Sequence, residues 1–259
     1  MTIAQEIEIL TEEEIVFPPS DLYSDEPPLE TDIHLQQIII LLESLNWIWQ
    51  ERNDFYAAGN LTIYYSSYQK KSSDFRGPDF FVVLDTERKS RKSWVVWEEN
   101  GQYPHVIIEI LSSSTATIDK NLKKQIYQNI FRTPEYYWFD PDTKELAGFN
   151  LVSGEYQAIT TTEQGYLLSK QLGLYLGVEG EFLRFFTLSG DLVLKPVEVA
   201  IQTQEELSQT QEELSQTQEE LSQTQEELSQ TEQRLQDQTH RAERLAAKLR
   251  ELNIDPDTI

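Results

Sequence analysis

The segment His105-Val-Ile-Ile-Glu-Ile-Leu111 places a carboxylate in an otherwise apolar run. Read as a strand, it turns Val106, Ile108 and Ile110 to one side and Ile107, Glu109 and Leu111 to the other. Both faces are then apolar, which predicts a central strand. An ionised carboxylate in that setting is costly unless it is paired or binds a cation, so Glu109 points to a purpose. A glutamate at a strand end, reaching solvent or an arginine, is the plainer alternative. A second carboxylate, Asp79, lies in Gly77-Pro-Asp-Phe-Phe-Val-Val83, at the mouth of another buried run. Alone it reads as a turn residue after Gly-Pro. Together with Glu109 it makes a pair of hard oxygen donors able to hold Mg²⁺ or Mn²⁺. Downstream, Asp119, Lys123 and Tyr127 recur at spacing four on a predicted helix over 119–131, opposite an apolar stripe of Leu122, Ile126 and Ile130. Lys123 can lean back toward the carboxylates or form an ordinary surface pair with Asp119, and Lys120 and Lys124 compete for the same role.

These residues need a sheet and helices to position them. From Thr31, a predicted N-cap, apolar residues at 35, 38, 42, 45 and 49 describe an amphipathic helix ending near Arg52, with Leu35, Ile38, Leu42, Leu45 and Trp49 facing a sheet. Strands are predicted over 61–65, 80–84, 94–97 and 105–111, the helix over 119–131 follows, and another strand covers 136–139. The 94–97 strand is the one that separates the two carboxylate strands along the chain. This order predicts an α/β (α+β) fold, a mixed central sheet flanked by helices. Residues 145–195 alternate short strand-like runs with Ser-Gly and Glu-Gly turns, as hairpins added to the same domain would.

From Thr203 the heptad TQEELSQ occurs four times in tandem and continues in diverged form. A seven-residue period predicts a long helix or coiled coil as a C-terminal tail over 199–259. Leu207, Leu214, Leu221, Leu228 and Leu235 fill one seam position; Thr210, Thr217 and Thr224 fill the other. The flanking Glu206, Glu213, Glu220 and Glu227 argue against a strongly associating parallel pair. A homodimer or a protein partner engaged through residues 201–259 is the expectation to test. At the other end, residues 1–30 carry clustered acids and two Pro-Pro pairs and read as an acidic flexible arm, leaving 31–198 as the principal domain.

The formal charge is −24, an obstacle for a protein that would grip phosphates. Most of it is peripheral: residues 1–32 hold ten acids and no base, residues 201–259 fourteen acids and five bases, and the remainder carries only −5. There are no cysteines, which excludes disulfides, thiolate metal sites and cysteine nucleophiles. The N-terminus lacks the basic start and apolar run of a signal peptide, and no run can span a bilayer, so a cytoplasmic, non-membrane protein is expected.

The run DFRGPDFFVVLD, followed by SWVVWEENGQYPHVIIEILSSSTATIDKNLKKQIYQNIFRTPEYYWFDP, resembles the Uma-two family of restriction-endonuclease-like proteins, within the PD-(D/E)XK nuclease superfamily. The likeness covers roughly residues 20–195. The family's Pro-Asp falls on Pro78-Asp79, its strand glutamate on Glu109, its Asp-x3-Lys-x3-Tyr helix on Asp119, Lys123 and Tyr127, and its Pro-Glu-Tyr strand entry on Pro134-Glu135-Tyr136. The resemblance implies a restriction-endonuclease-like fold and a Mg²⁺- or Mn²⁺-dependent endonuclease that hydrolyses DNA. Asp79, Glu109 and Lys123 would be its catalytic residues, Asp79 and Glu109 its metal ligands. The superfamily's E-x-K motif would place lysine at 111; this chain has Leu111, so the lysine has to come from the helix. The family's Ser-Pro-Ser loop reads Ser112-Ser113-Ser114 here, and those hydroxyls could bond phosphate or cap the helix.

The dense basic stretch Glu87-Arg88-Lys89-Ser90-Arg91-Lys92 reads as a hairpin tip, able to touch a nucleic-acid backbone or simply solvated. Two functions follow. One is the DNA endonuclease; the other is a catalytically weak or inactive nuclease-fold scaffold that engages partners through the tail, which the acidity and Leu111 favour.

Overall fold

The computed structural model describes residues 22–24, 26, 31–65, 75–112 and 119–253, and the chain falls into two units, Met1–Pro196 and Val197–Ile259. Most of the predicted arm, Ser113 and Ser114, and the side chains of Asp119 and Lys120 lie outside the described residues.

Helix α1, Asp32–Ile48, begins where expected, with the Thr31 hydroxyl accepting from the His34 N–H at 3.2 Å. It buries Ile38, Leu41 and Leu45, but Leu35 is 44% exposed. The reason is Gln37, whose side-chain amide donates to the Leu183 carbonyl and accepts from the Leu183 N–H, both at 2.8 Å. Those two bonds turn Gln37 inward, and Leu35 goes to solvent.

The strands are β1 Phe55–Gly59, β2 Ile63–Tyr64, β3 Phe75–Arg76, β4 Phe80–Leu84, β5 Trp94–Val95, β6 Val106–Ile110, β7 Glu135–Phe139, β8 Leu146–Val152, β9 Glu155–Ala158, β10 Leu167–Ser169, β11 Leu174–Glu179 and β12 Phe182–Phe186. Six form a central mixed sheet in the order β1-β4-β6-β7-β8-β9. The β6–β7 pair is parallel and the other neighbours are antiparallel. Two three-stranded sheets, β10-β11-β12 and β3-β2-β5, complete the unit. β6 lies between β4 and β7, and all five of its residues are buried. Its side chains alternate as read from the sequence: Val106 and Ile108 join a cluster with Leu41, Leu45, Leu176 and Phe185, while Ile107 packs with Tyr127, Phe131 and Trp94 on the other face. The fold is therefore α+β, a mixed central sheet flanked by helices with a long C-terminal helix.

Two expectations are corrected. Trp94–Val95 pairs in parallel with β2 in a separate small sheet, so β4 and β6 are direct neighbours. The Trp94 backbone follows β2, its N–H donating to the Thr62 carbonyl at 2.8 Å, while its ring packs back on the central sheet, stacked on Tyr56 of β1 and edge-on to Phe81 of β4. The second correction concerns the helical segment α2, which runs through Asp119–Lys123 and Tyr127–Phe131 in the wide π winding with a short α turn, Lys124–Ile126, between them. Leu122 and Ile130 are exposed at 52% and 47%, whereas Tyr127 and Phe131 are buried. Of the predicted stripe only Ile126 is buried, and it packs beside Tyr127 and Phe131 in the cluster against the sheet. Strand β1 was not predicted; its small residues, Ala57, Ala58 and Gly59, lack the alternation that marks a strand.

The basic stretch is partly folded back. Arg91 donates to both carboxylate oxygens of Glu99 at 2.6 and 3.0 Å and lies over Tyr56 and Trp94, while Arg88 donates to the Asn46 side-chain Oδ1 at 2.8 Å and covers Phe55.

The second unit carries most of α3, Pro196–Glu251, 56 residues long with none buried. Proline is tolerated at its first position, where the N–H has no partner within the helix. Among the described residues, no helix is long and apolar enough to cross a membrane.

Candidate active site

The β4–β6 register sets Phe80 opposite Ile108, so one step further along the ladder brings Asp79 alongside Glu109. Glu109 is fully buried and Asp79 9% exposed, at the end of the sheet where β4 begins. Each carboxylate is held from two sides. One Asp79 oxygen accepts from the Ile110 N–H at 2.7 Å, and the other lies 2.9 Å from His34 Nε2. One Glu109 oxygen accepts from the Tyr127 hydroxyl at 2.6 Å, and the other meets the Lys123 ammonium at 2.9 Å. Helix α1, strands β4 and β6, and α2 thus converge on one pair of acids.

Burial by itself would raise the Asp79 carboxyl. The His34 hydrogen bond, the charge of Lys123 and the Ile110 N–H outweigh it and hold Asp79 below the ordinary carboxylate value. Asp79 is accordingly ionised at neutral pH and acts as an acceptor. The competing Lys124 points elsewhere, its ammonium 3.3 Å from the centre of the Phe149 ring, and burial lowers its pKa.

The structure thus gathers Asp79, Glu109 and Lys123, and adds Tyr127 and His34. Tyr127 was legible as the next residue on the Lys123 row. His34 carries a signal too: it shares the inward row of α1 with Ile38, Leu41 and Leu45 and is itself buried. A polar ring on an apolar stripe calls for a partner, and Asp79 is that partner. Beside it opens a cleft lined by Thr31, Ile33, His34, Ile110, Ser112 and Asp142. Among the described residues, no three His, Cys, Asp or Glu side chains cluster as a ready-made metal cage.

A further buried acid, Glu135, stays apart from this site. It alternates with Tyr136 on β7 and faces the opposite side of the sheet, where Tyr137, Ser169 and the N–H groups of Lys170 and Gln171 all donate to it. Burial raises its pKa by more than these donors lower it.

Residues 21–188 match the family model Uma2, described as putative restriction endonuclease. The chain belongs to the Uma2 family. The match ends just after β12, so the Uma2 region takes in every element that touches the two acids and leaves α3 outside. The chain is also similar to a crystal structure of a putative nuclease belonging to DUF820 from Anabaena variabilis ATCC 29413. The identity is 14% and the TM-score 0.40, over 57% of this chain and 76% of that one. No curated protein matches. The Uma2 membership supports a nuclease-type function for the unit that holds Asp79 and Glu109.

Proposed function

We propose that the chain is a divalent-metal-dependent endonuclease that hydrolyses phosphodiester bonds of DNA, with Asp79, Glu109 and Lys123 as its catalytic groups. The observation that carries this reading is a fully buried glutamate, clamped between an ammonium and a phenol, in register beside a second ionised carboxylate. The donor set fits a hard cation. Both acids present hard carboxylate oxygens, and Mg²⁺ takes one or two carboxylates while keeping several waters. Asp79 and Glu109, with the Ile110 carbonyl, would hold Mg²⁺ or Mn²⁺. When bound, such an ion polarises a phosphate oxygen and lowers the pKa of an attacking water.

The remaining chemistry belongs to the chain. The Lys123 ammonium, already at the Glu109 carboxylate, stands ready to neutralise charge developing on a phosphate or to orient the water. Tyr127 fixes the tilt of Glu109 through its hydroxyl, and the Ile110 N–H and His34 fix Asp79. Preset orientation of this kind lets the charges act without reorganising when the bond breaks. Leu111 in place of the superfamily's strand lysine is compatible with the reading, because the ammonium arrives from α2 at 2.9 Å.

The test is nicking of supercoiled plasmid in Mg²⁺ or Mn²⁺ by wild type, Asp79→Asn, Glu109→Gln and Lys123→Met. Each variant should lose at least about 100-fold in rate, in line with removal of a transition-state charge partner. Equal cleavage by all four proteins would refute the assignment. A folded wild type that cuts with neither metal would favour the scaffold reading, to which the net charge of −24 gives some support.

A further inference from the structure

We infer that the C-terminal helix pairs with a second copy of this chain in an antiparallel coiled coil centred on Glu227. The seam is exposed along the whole of α3: Leu207, Leu214, Leu221, Leu228 and Leu235 are each at least half exposed, and none of the 56 residues is buried. With these leucines at position a of the heptad, the d positions are Thr210, Thr217, Thr224, Thr231, Gln238, Leu245 and Leu252. The threonines are less polar than they look. Each of the first four turns its hydroxyl onto the carbonyl four residues back, at 2.8 to 2.9 Å, satisfying the polar group within its own helix.

Charge decides the direction. The g positions read Glu206, Glu213, Glu220, Glu227, Arg234, Arg241 and Lys248, acidic in the first half and basic in the second. In an antiparallel pair g faces g of the partner, and centring on Glu227 sets Glu206 against Lys248, Glu213 against Arg241 and Glu220 against Arg234. Counting both directions, six of the seven g contacts are attractive and one, Glu227 with its own copy, is repulsive. In a parallel pair g faces e instead. Glu206, Glu213 and Glu220 would then meet glutamines, and Glu227 would meet Glu232, so no contact is attractive. The wider balance agrees: residues 203–230 hold eight acids and no base, residues 231–252 four acids and five bases. Parallel pairing stacks the acidic half on itself, whereas antiparallel pairing lays it on the half with a slight positive balance.

The core supports the same register. It sets Leu207 against Leu245, Leu214 against Gln238, Leu221 against Thr231 and Leu228 against Thr224 of the partner. Leu235 then meets Thr217, Ala242 meets Thr210 and Leu249 meets Thr203, so every layer keeps an aliphatic side chain. Parallel pairing would instead alternate leucine layers with facing pairs of Thr210, Thr217, Thr224, Thr231 and Gln238, and would keep consecutive aliphatic layers only from Ala242 onward.

The absence of cysteine makes the test direct. Two single-cysteine full-length variants, Glu227→Cys and Thr210→Cys, are treated with a short bismaleimide. The antiparallel register brings residue 227 next to its copy and separates the two copies of residue 210 by roughly 50 Å at the helical rise. Glu227→Cys should therefore yield covalent dimer and Thr210→Cys should not. The reverse pattern, a monomeric mass for wild type by light scattering at about 0.1 mM, where any dimer with a dissociation constant of about 1 µM is nearly fully formed, or a trimer or tetramer would overturn the proposal. A charge-swap series gives a second readout. Reversing Arg234, Arg241 and Lys248 to Glu should weaken dimerisation on the order of 1,000-fold, since six attractions become repulsions. Adding Glu206→Lys, Glu213→Lys and Glu220→Lys to the same chain should restore it. Failure of the second set to rescue the first would overturn the register. All six positions lie on the helix of the second unit and are exposed.

Discussion

Replacing Lys123 with methionine keeps the length and apolar stem of the side chain and removes the ammonium that meets Glu109 at 2.9 Å. Glu109 is fully buried, while the Lys123 side chain is 19% exposed. Breaking a fully buried ion pair by deleting one partner costs about 3–5 kcal/mol, because the other charge is left in a dry site. The partial exposure of Lys123 and the surviving Tyr127 hydroxyl bond lower that here, to about 2–3 kcal/mol. For a unit of this size the midpoint of thermal unfolding should fall by about 5–10 °C. The partner variant Glu109→Gln removes the charge but keeps an acceptor for Tyr127. The double variant Lys123→Met/Glu109→Gln should then be more stable than Lys123→Met alone, with a coupling energy of about 1.5 kcal/mol or more. Urea unfolding followed by tryptophan fluorescence measures all four proteins, since Trp94 and Trp138 lie in the cluster against α2. Mg²⁺ adds a second axis: a cation held by Asp79 and Glu109 can replace the lost charge, so millimolar Mg²⁺ should raise the midpoint of Lys123→Met more than that of wild type. Additivity of the two substitutions within about 0.5 kcal/mol would refute the reasoning, because Glu109 and Lys123 would then not be sharing a dry site.

Removing His34 should move the acid limit of stability. In the wild type Asp79 is held below its ordinary value, so its contribution is present above the unfolded-state pKa and is lost as pH falls through the folded-state one. In His34→Asn burial still raises Asp79 while one lowering contact is gone; the loss should begin at higher pH, read from urea midpoints between pH 3 and pH 7 (roughly the carboxylate range). An unchanged acid limb would mean that His34 does not hold Asp79. On the opposite face of the sheet, Glu135→Ala would leave the Tyr137 and Ser169 hydroxyls and the N–H groups of Lys170 and Gln171 without their acceptor. It should cost at least about 3 kcal/mol in the same unfolding assay, and a loss under about 1 kcal/mol would show that water replaces the carboxylate.

Local patterning was enough to determine several features of this chain. A strand apolar on both faces has to be central, and Val106–Ile110 is; a threonine before an amphipathic run has to cap it, and Thr31 does. The anomaly of a charge in that central strand marked Glu109 without any partner in view. The seven-residue repeat likewise dictated a long helix, because its period is a property of the chain alone. What tertiary structure decided was which residues meet. Periodicity put Leu122 and Ile130 inside, but α2 docks on the sheet through Ile126, Tyr127 and Phe131. Trp94–Val95 pairs with β2 in a separate small sheet, and β4 lies directly against β6, which brings Asp79 to Glu109. His34 is 45 residues from Asp79 along the chain, and only the docking of α1 through Gln37 carries its ring to that carboxylate. Pattern reports how each segment divides water from core. The meeting of two particular side chains depends on docking and sheet order, which are settled by contacts between segments that no single stretch of sequence contains.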